Sequence, residues 1–323
     1  MPIRGMEELA QCPVRWIADD EKRSLGDICG EWPRLMMTPG WGYPLYNRFR
    51  DEARGRGCFI VGAADNNLVL SFKECLRSLR FQLLFRHKYD AFFVPGKSGI
   101  RLLRFYGVPA NRIVTGLYAA DETLFHDGQP LEERSKRMLF VGQLCERKNV
   151  LRLCEAFRLS DGHGKGWTLD LYGSGPLRDG IPTGNGVAVH DFMQPERLAE
   201  VYRQSRCFIL PSLSEHWGVV VHEAALSGCV LLLSDCIGAG EDFLHSGRNG
   251  FAFRPYSTAD LASAMEKVYA MNDDELRAAR QESIDLSSHV GLASFVDGIR
   301  RFDEMSGGMG HCRGEGDDAI WSE

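Results

Sequence analysis

The sequence predicts an α/β fold of two domains, each a parallel sheet covered by helices on both faces, with a cleft between them. Three observations carry this reading. From Met138 onward, short apolar runs alternate with amphipathic stretches, the pattern of strand–helix units in a parallel sheet. The first half alternates in the same way, less regularly. Between the halves lies the polar segment DGQPLEERSKR, Asp127 to Arg137, which reads as their seam. The chain divides accordingly into an N-terminal domain at 1–130, a C-terminal domain at 131–305 and a tail at 306–323. That tail, SGGMGHCRGEGDDAIWSE, is Gly-rich and acidic and is expected to be disordered, without a core of its own.

In the first half, the expected strands are Pro13 to Ala18, Arg34 to Met37, Cys58 to Gly62, Ala91 to Val94 and Arg112 to Val114, with a long helix from Phe72 to Lys88. In the second half, Met138 to Gly142 is a short buried strand. The helical stripe Val150, Leu153, Cys154 and Phe157 follows it. Trp167 to Tyr172 is the next strand and ends in the turn Gly173-Ser174-Gly175-Pro176. Pro195 to Ser205 is a helix, Cys207 to Leu210 a strand stopped by Pro211, Val219 to Leu226 a helix and Val230 to Leu233 a strand. Ser257 caps a helix whose buried stripe is Leu261, Ala264, Met265 and Val268.

Composition narrows the function. At 323 residues the chain has room for two domains, and 44% hydrophobic with 25% charged residues is the make-up of a globular protein. A net charge of −6 argues against a protein that wraps nucleic acid, so no nucleic-acid partner is expected. The ten cysteines form no C-x-x-C pair, which speaks against zinc and dithiol chemistry. The segment Met1 to Asp20 lacks the apolar run of a secretory signal. Together these suggest reduced thiols in a cytoplasmic enzyme.

Two phosphate-loop candidates fail. Gly96-Lys97-Ser98 follows a strand and opens a helix, but the glycine a P-loop needs at position 91 is Ala91. Gly173 and Gly175 are half of a dinucleotide fingerprint whose third position is Arg178. A tight turn explains them equally well, so hydride chemistry is unsupported while a nucleotide stays open.

The strongest local signal is SEHWGVVVHEAALSG, Ser214 to Gly228. A glycine ahead of a helix leaves the N–H groups of Gly218, Val219 and Val220 available to an anion. Glu215 and Glu223, eight residues apart, are too far separated for an acid–base dyad. They suit two hydroxyl-bearing groups on either side of a diphosphate, because a carboxylate accepts two hydrogen bonds from a vicinal diol. A solvated loop Glu and a helix-surface Glu are the plainer alternative.

The stretch from Met138 to Phe302 resembles the retaining GT-B glycosyltransferases of family 4, the group 1 glycosyltransferases. The matching segments are FVGQLCERKN at 140–149, LYGSGPL at 171–177, the helix at 195–205, the Glu215/Glu223 pair and Gly247 to Phe251. The resemblance implies two Rossmann-like domains facing a cleft, with the N-terminal one abbreviated. It also implies sugar transfer from a nucleotide-diphosphate sugar without a metal or other cofactor. Under it, Glu223 holds the ribose, Glu215 the donor sugar, and the amides of Gly218 to Val220, with Trp217 beside them, the phosphate end. Lys148 neutralises the diphosphate. Gln143 stands where the family has an arginine, and Arg147 is assigned the missing charge. Gly142, Gln143, Gly173 and Gly175 form the loops around the donor. Where the family has a donor-contacting histidine this chain reads Ala64-Asp65-Asn66-Asn67; either Asn66 or Asp65 is the expected substitute, or the sugar is held differently. A GT-B epimerase or phosphorylase, or a weakened nucleotide-sugar-binding subunit, are the alternative functions.

Charge placement suggests the other partner. From Ser71 to Arg112 there are nine Lys and Arg against Glu74 and Asp90. On a helical wheel Phe72, Cys75, Leu76, Leu79 and Leu83 share one face, with Lys73, Arg77, Arg80 and Lys88 beside it. The family resemblance implies that the acceptor is a glycan or lipid-linked glycan of cell-surface polysaccharide or glycolipid synthesis. It approaches this basic side, with an anionic membrane face as a possible partner and a peripheral location at the inner face of the cytoplasmic membrane.

Overall fold

The computed structural model describes residues 17–307 except Asp19 and Glu31. The expected strand at Pro13 to Ala18 lies mostly outside these residues, and so does the tail from 308 onward. The described chain forms two α/β lobes. In the first, α1 (Leu25–Cys29), β1 (Leu35–Pro39), α2 (Pro44–Gly55), β2 (Phe59–Ala63), α3 (Phe72–Leu84), β3 (Ala91–Val94), α4 (Lys97–Phe105) and β4 (Ile113–Thr115) follow in order. Its four strands are all parallel, in the order β1-β2-β3-β4. The second lobe holds β5 (Ser135–Val141), α5 (Val150–Leu159), β6 (Thr168–Tyr172), β7 (Val187–His190), α6 (Pro195–Gln204), β8 (Ser205–Leu210), α7 (Val219–Leu226) and β9 (Val230–Ser234). The chain continues through α8 (Gly240–Phe243), β10 (Gly250–Phe253), α9 (Thr258–Tyr269), α10 (Asp273–Ser287) and α11 (Leu292–Gly307).

The second sheet is also wholly parallel and runs β10-β9-β8-β5-β6-β7. Its strand order reverses between β5 and β8. In open parallel sheets the crevice at the carboxyl ends of the strands flanking such a reversal is where ligands bind. Central strands are covered on both faces, which is why they read as unbroken apolar runs: all five residues of β9 are buried.

In the first lobe, side chains alternate between two cores. Phe59, Val61, Ala91 and Phe93 face one side, while Ile60, Phe92 and Val94 face the other. The first of these cores is closed by α11. Phe295 packs tilted and Phe302 edge-on against Phe93 at ring-centroid distances of 5.4 and 5.3 Å, and a Cβ on Gly298 would press into the Phe93 ring. The last helix thus returns from the second lobe to the first sheet.

Asp127, at the start of the polar connector, is tied down rather than solvated. It accepts hydrogen bonds from Arg280 on α10 and from the buried Arg134. The helix expected from Phe72 to Lys88 stops at Leu84, and Arg86–Lys88 form a separate 3-10 turn. Lys88 therefore leaves the helix face assigned to it and pairs with Asp51 at 3.0 Å. Among the described residues, no helix is long and apolar enough to cross a membrane.

Candidate active site

The loop leaving β5 and the loop leaving β8 meet at the strand-order reversal. The first turns sharply at Gly142 (φ 154°), passes through a 3-10 turn at Glu146–Lys148 and enters α5 through Asn149 (φ 60°). Asn149 is buried, and its side-chain amide donates to the carbonyls of Pro211 (3.2 Å) and Pro255 (2.8 Å). The amide of Leu213 donates to the carbonyl of Arg147 at 2.8 Å. These bonds lace the two loops together and fix where Arg147 and Lys148 point.

Both cations point at Glu215. The nearly buried Lys148 ammonium is hydrogen-bonded to Glu215 Oε2. The Arg147 guanidinium donates to the same oxygen at 3.0 Å and to the Ser214 carbonyl at 3.0 Å. The hydroxyl of Ser212, itself fully buried, adds a third bond to Oε2 at 3.1 Å. Burial opposes the charged carboxylate, but Lys148, Arg147 and Ser212 outweigh it and hold Glu215 below the usual carboxylate range. Glu215 is ionised at neutral pH.

Behind Glu215 the chain turns at Gly218 (φ 93°), which caps α7 without a side-chain bond. The first-turn amides of Val219 and Val220 face out of the helix end. Val221 donates back to the Gly218 carbonyl at 2.9 Å. One turn further, the half-buried Glu223 accepts a hydrogen bond from the Tyr202 hydroxyl at 2.9 Å. Burial pushes its carboxyl up to about 6, against the pull of that hydroxyl.

The other expected site residues divide. Gly142 backs Lys148: a Cβ there would meet Lys148 Cε at 3.5 Å. Gln143 is exposed and accepts a weak bond from the Cys145 thiol at 3.7 Å. Gly173 (φ 150°) and Gly175 (φ 157°) pack on the β5 loop, where added Cβ atoms would overlap the carbonyls of Gly142 and Leu144. Loop-on-loop contact is sufficient reason for both. Trp217 is buried against Phe243 and sits at the seam between the lobes beside Gly96. Asn66 is exposed on the wall of the interlobe cleft. Its neighbour Asn67 makes the bridge, donating to the carbonyls of Glu215 (2.6 Å) and Cys236 (3.2 Å).

The cleft encloses about 1580 Å³. Trp41, Tyr43, Arg77 and Arg80 line it from the first lobe, and Ser214 and His216 from the second. Lys148, Glu215 and Glu223 do not line it themselves. Lys73, Arg77 and Arg80 do share α3, but Arg77 is paired with Glu74 at 3.0 Å.

Sequence reasoning passed over Ser212, Asn149, Tyr202 and Asn67. Asn149 lies inside the segment FVGQLCERKN, and its left-handed backbone is one that asparagine tolerates better than most residues. Nothing in the sequence marks Asn67 as an interlobe strut.

Two parallel-sheet α/β lobes with a site at the carboxyl edge of the second make this a GT-B glycosyltransferase fold. The chain belongs to the glycosyl transferases group 1 family, whose model matches residues 121–284. It is 27% identical over 228 residues to the D-inositol 3-phosphate glycosyltransferase of Nocardia farcinica, a match covering 62% of this chain and 49% of that one. The chain spans about half the length of the curated relatives it matches. Among solved structures it is similar to the sucrose-phosphate synthase of Thermosynechococcus elongatus (TM-score 0.67, 18% identity, covering 88% of this chain and 76% of that one). It is likewise similar to the pneumococcal O-GlcNAc transferase GtfA in complex with UDP and GlcNAc (TM-score 0.63, 17% identity, covering 85% and 56%).

Proposed function

We propose that the chain transfers a sugar from a nucleotide-diphosphate sugar to a glycan or lipid-linked acceptor, with retention of anomeric configuration, as a family 4 enzyme. The observation that carries the reading is the convergence of Lys148, Arg147 and Ser212 on Glu215 at the strand-order reversal. Two cations held at one edge form a receptor for a diphosphate. The carboxylate that holds them is the group a sugar hydroxyl can address once the phosphates take over the cations.

In this account the diphosphate sits against Lys148, Arg147 and the first amides of α7, which stabilise the charge that develops on the leaving group. Glu223 accepts the ribose hydroxyls and Glu215 those of the donor sugar. The bond between the anomeric carbon and the phosphate oxygen breaks as the acceptor oxygen attacks the same face. The acceptor's proton passes to the leaving phosphate. Protein cations meet the phosphate charge, so a chelator is expected to leave the rate unchanged.

The test has two stages. A thermal-shift panel of UDP-, GDP- and ADP-sugars identifies the donor, because a ligand bound to the native state raises Tm. The product formed on added acceptors is then read by NMR for its anomeric configuration. Retention supports the account and inversion overturns it. Tight donor binding without turnover marks a binding subunit, and sugar rearrangement without an acceptor marks an epimerase.

A further inference from the structure

The loop that carries Glu215 is held from the other lobe. Asn67, on the segment that follows β2, extends its side-chain amide across the seam. It donates to the carbonyl of Glu215 at 2.6 Å and to that of Cys236 at 3.2 Å. Both partners are carbonyls, so the bridge needs two N–H bonds on one nitrogen, which an asparagine amide has. Among the described residues, Asn67 is the first-lobe group hydrogen-bonded to Glu215. Lys148, Arg147 and Ser212 hold its carboxylate from the second lobe.

The two carbonyls belong to loops that already pair with each other. Glu215 forms a parallel bridge with Ile237, the Gly238 amide donates to the Glu215 carbonyl at 3.3 Å, and the Ala239 amide donates to the Trp217 carbonyl at 3.1 Å. Gly238 lets the first lobe come this near, because a Cβ there would run into the His216 carbonyl, Asn67 Oδ1 and Ser98 Oγ. Both of these side-chain oxygens are buried without a hydrogen-bond partner among the described residues. What the close approach gains is therefore the pair of bonds made by the amide nitrogen.

Those bonds matter most when the donor is bound. On the proposed reading the phosphates take Lys148 and Arg147, and the Glu215 carboxylate keeps only Ser212 of its side-chain partners. The residue is then fixed by its backbone, through Gly238 from its own lobe and Asn67 from the other. We infer that Asn67 is a positioning residue for sugar transfer: by anchoring the Glu215 carbonyl it aims the Glu215 carboxylate at the donor sugar, and it does so only while the lobes are in contact. The inference rests on the reading of Glu215 as the group that holds that sugar.

The experiment compares wild type with Asn67→Ala, Glu215→Gln and the double variant, in steady-state transfer and in hydrogen exchange read by mass spectrometry. Asn67→Ala should lower kcat on the order of ten- to hundredfold, as a small misplacement at a reacting centre does. The donor KM and the affinity for the nucleoside diphosphate should stay within about twofold of wild type, because the groups assigned to the nucleotide lie on the second lobe. Added to Glu215→Gln, Asn67→Ala should cost nothing further, since it acts through that carboxylate. A residue that merely braces the lobes would multiply the two losses, and that result overturns the inference. So does an unchanged kcat, or an equal loss of kcat and nucleotide affinity. Exchange does not depend on activity: the Gly238 and Ala239 amides should exchange at least about tenfold faster in Asn67→Ala, with the sheet of the second lobe unchanged. Unchanged exchange at those amides overturns the inference. A wild type that transfers no sugar overturns the transfer reading instead, and exchange then decides whether Asn67 holds the loop. If Asn67→Ala fails to fold, Asn67→Ser, which cannot donate to both carbonyls, takes its place.

Discussion

Lys148 reaches from the loop after β5 to the carboxylate of Glu215 on the loop after β8, so one ion pair spans the two strands between which the sheet order reverses. The pair is hidden from solvent, with side-chain exposures of 8% and 14%. Breaking it from one side leaves a charge that has lost its main partner. Lys148→Met is therefore expected to lower the unfolding free energy by about 1.5–3 kcal/mol in urea titrations. Adding Glu215→Leu to it should cost less than the sum of the two single changes, because no stranded charge then remains. Strict additivity would show that the two groups do not interact.

Glu223 titrates where binding can be watched. Its carboxyl is raised to about 6, so the ionised form that accepts ribose hydroxyls is depleted below that pH. The affinity for the nucleotide-sugar donor should fall below pH 6, by at most about tenfold per pH unit. The donor's pyrophosphate has no proton to gain in this range. Glu223→Gln should bind more weakly at pH 7.5 and show a flat profile. The sign for stability is the opposite: a raised native pKa means the contribution is fully present below the unfolded value of 4.5 and lost as pH rises through about 6.

His222 works against this trend. It is fully buried between the two halves of its hydrogen-bond chain: Nδ1 accepts from the Ala120 amide at 2.9 Å, and Nε2 donates to the Ser287 carbonyl at 3.2 Å. The ring lies flat on Phe243 at 4.6 Å. Burial, partly offset by the Ser287 carbonyl, pushes its pKa below the ordinary 6.5. The unfolded chain therefore binds a proton that the native chain refuses, and stability should fall as pH drops from 6.5 toward the native value. In melting curves across pH 7.5 to 5, His222→Gln should be less stable at pH 7.5 but lose less on acidification.

The lobes are clasped at Asp242. Helix α4 has no side-chain cap of its own, and the Asp242 carboxylate from the other lobe accepts the Lys97 amide at 3.1 Å. There is no space at Gly96, where a Cβ would overlap Asp242 and Trp217. Gly96→Ala should force the lobes apart, costing about 1–3 kcal/mol and enlarging the radius of gyration in solution scattering. Asp242→Asn, which keeps the shape and drops the charge, should be milder, at about 0.5–1 kcal/mol. An unchanged scattering profile for Gly96→Ala would show that the clasp does not set the interlobe distance.

Much of the second lobe could be read from residues alone, because strands buried on both faces leave unbroken apolar runs. Val219–Leu226 falls where its sequence suggests, as does Ala91–Val94 in the first lobe. The edge strands Val187–His190 and Gly250–Phe253 were missed; they are short and only partly buried, so their pattern is weak. The return of Leu292–Gly307 to the first sheet is a long-range packing event, and no local periodicity encodes it. At the site, Glu215, Lys148 and Arg147 could be named from motif and charge. Their convergence on one carboxylate oxygen could not, since Asn149 and Ser212 fix that geometry from either side of it. The outward mounting of α3, with Phe72, Leu76, Leu79 and Leu83 exposed, was hidden for the opposite reason. Its buried face, Glu74, Ser78 and Phe81, is the more polar one, and periodicity alone does not say which face packs on the lobe.

The central claim is that Lys148 at the β5–β8 reversal receives the donor's diphosphate. It is tested by calorimetric titration of wild type and Lys148→Ala with the nucleoside diphosphate of the preferred donor and with the matching free nucleoside. The account predicts that Lys148→Ala loses at least about tenfold in affinity for the diphosphate and keeps its affinity for the nucleoside. An equal loss for both ligands, or none for the diphosphate, would contradict it.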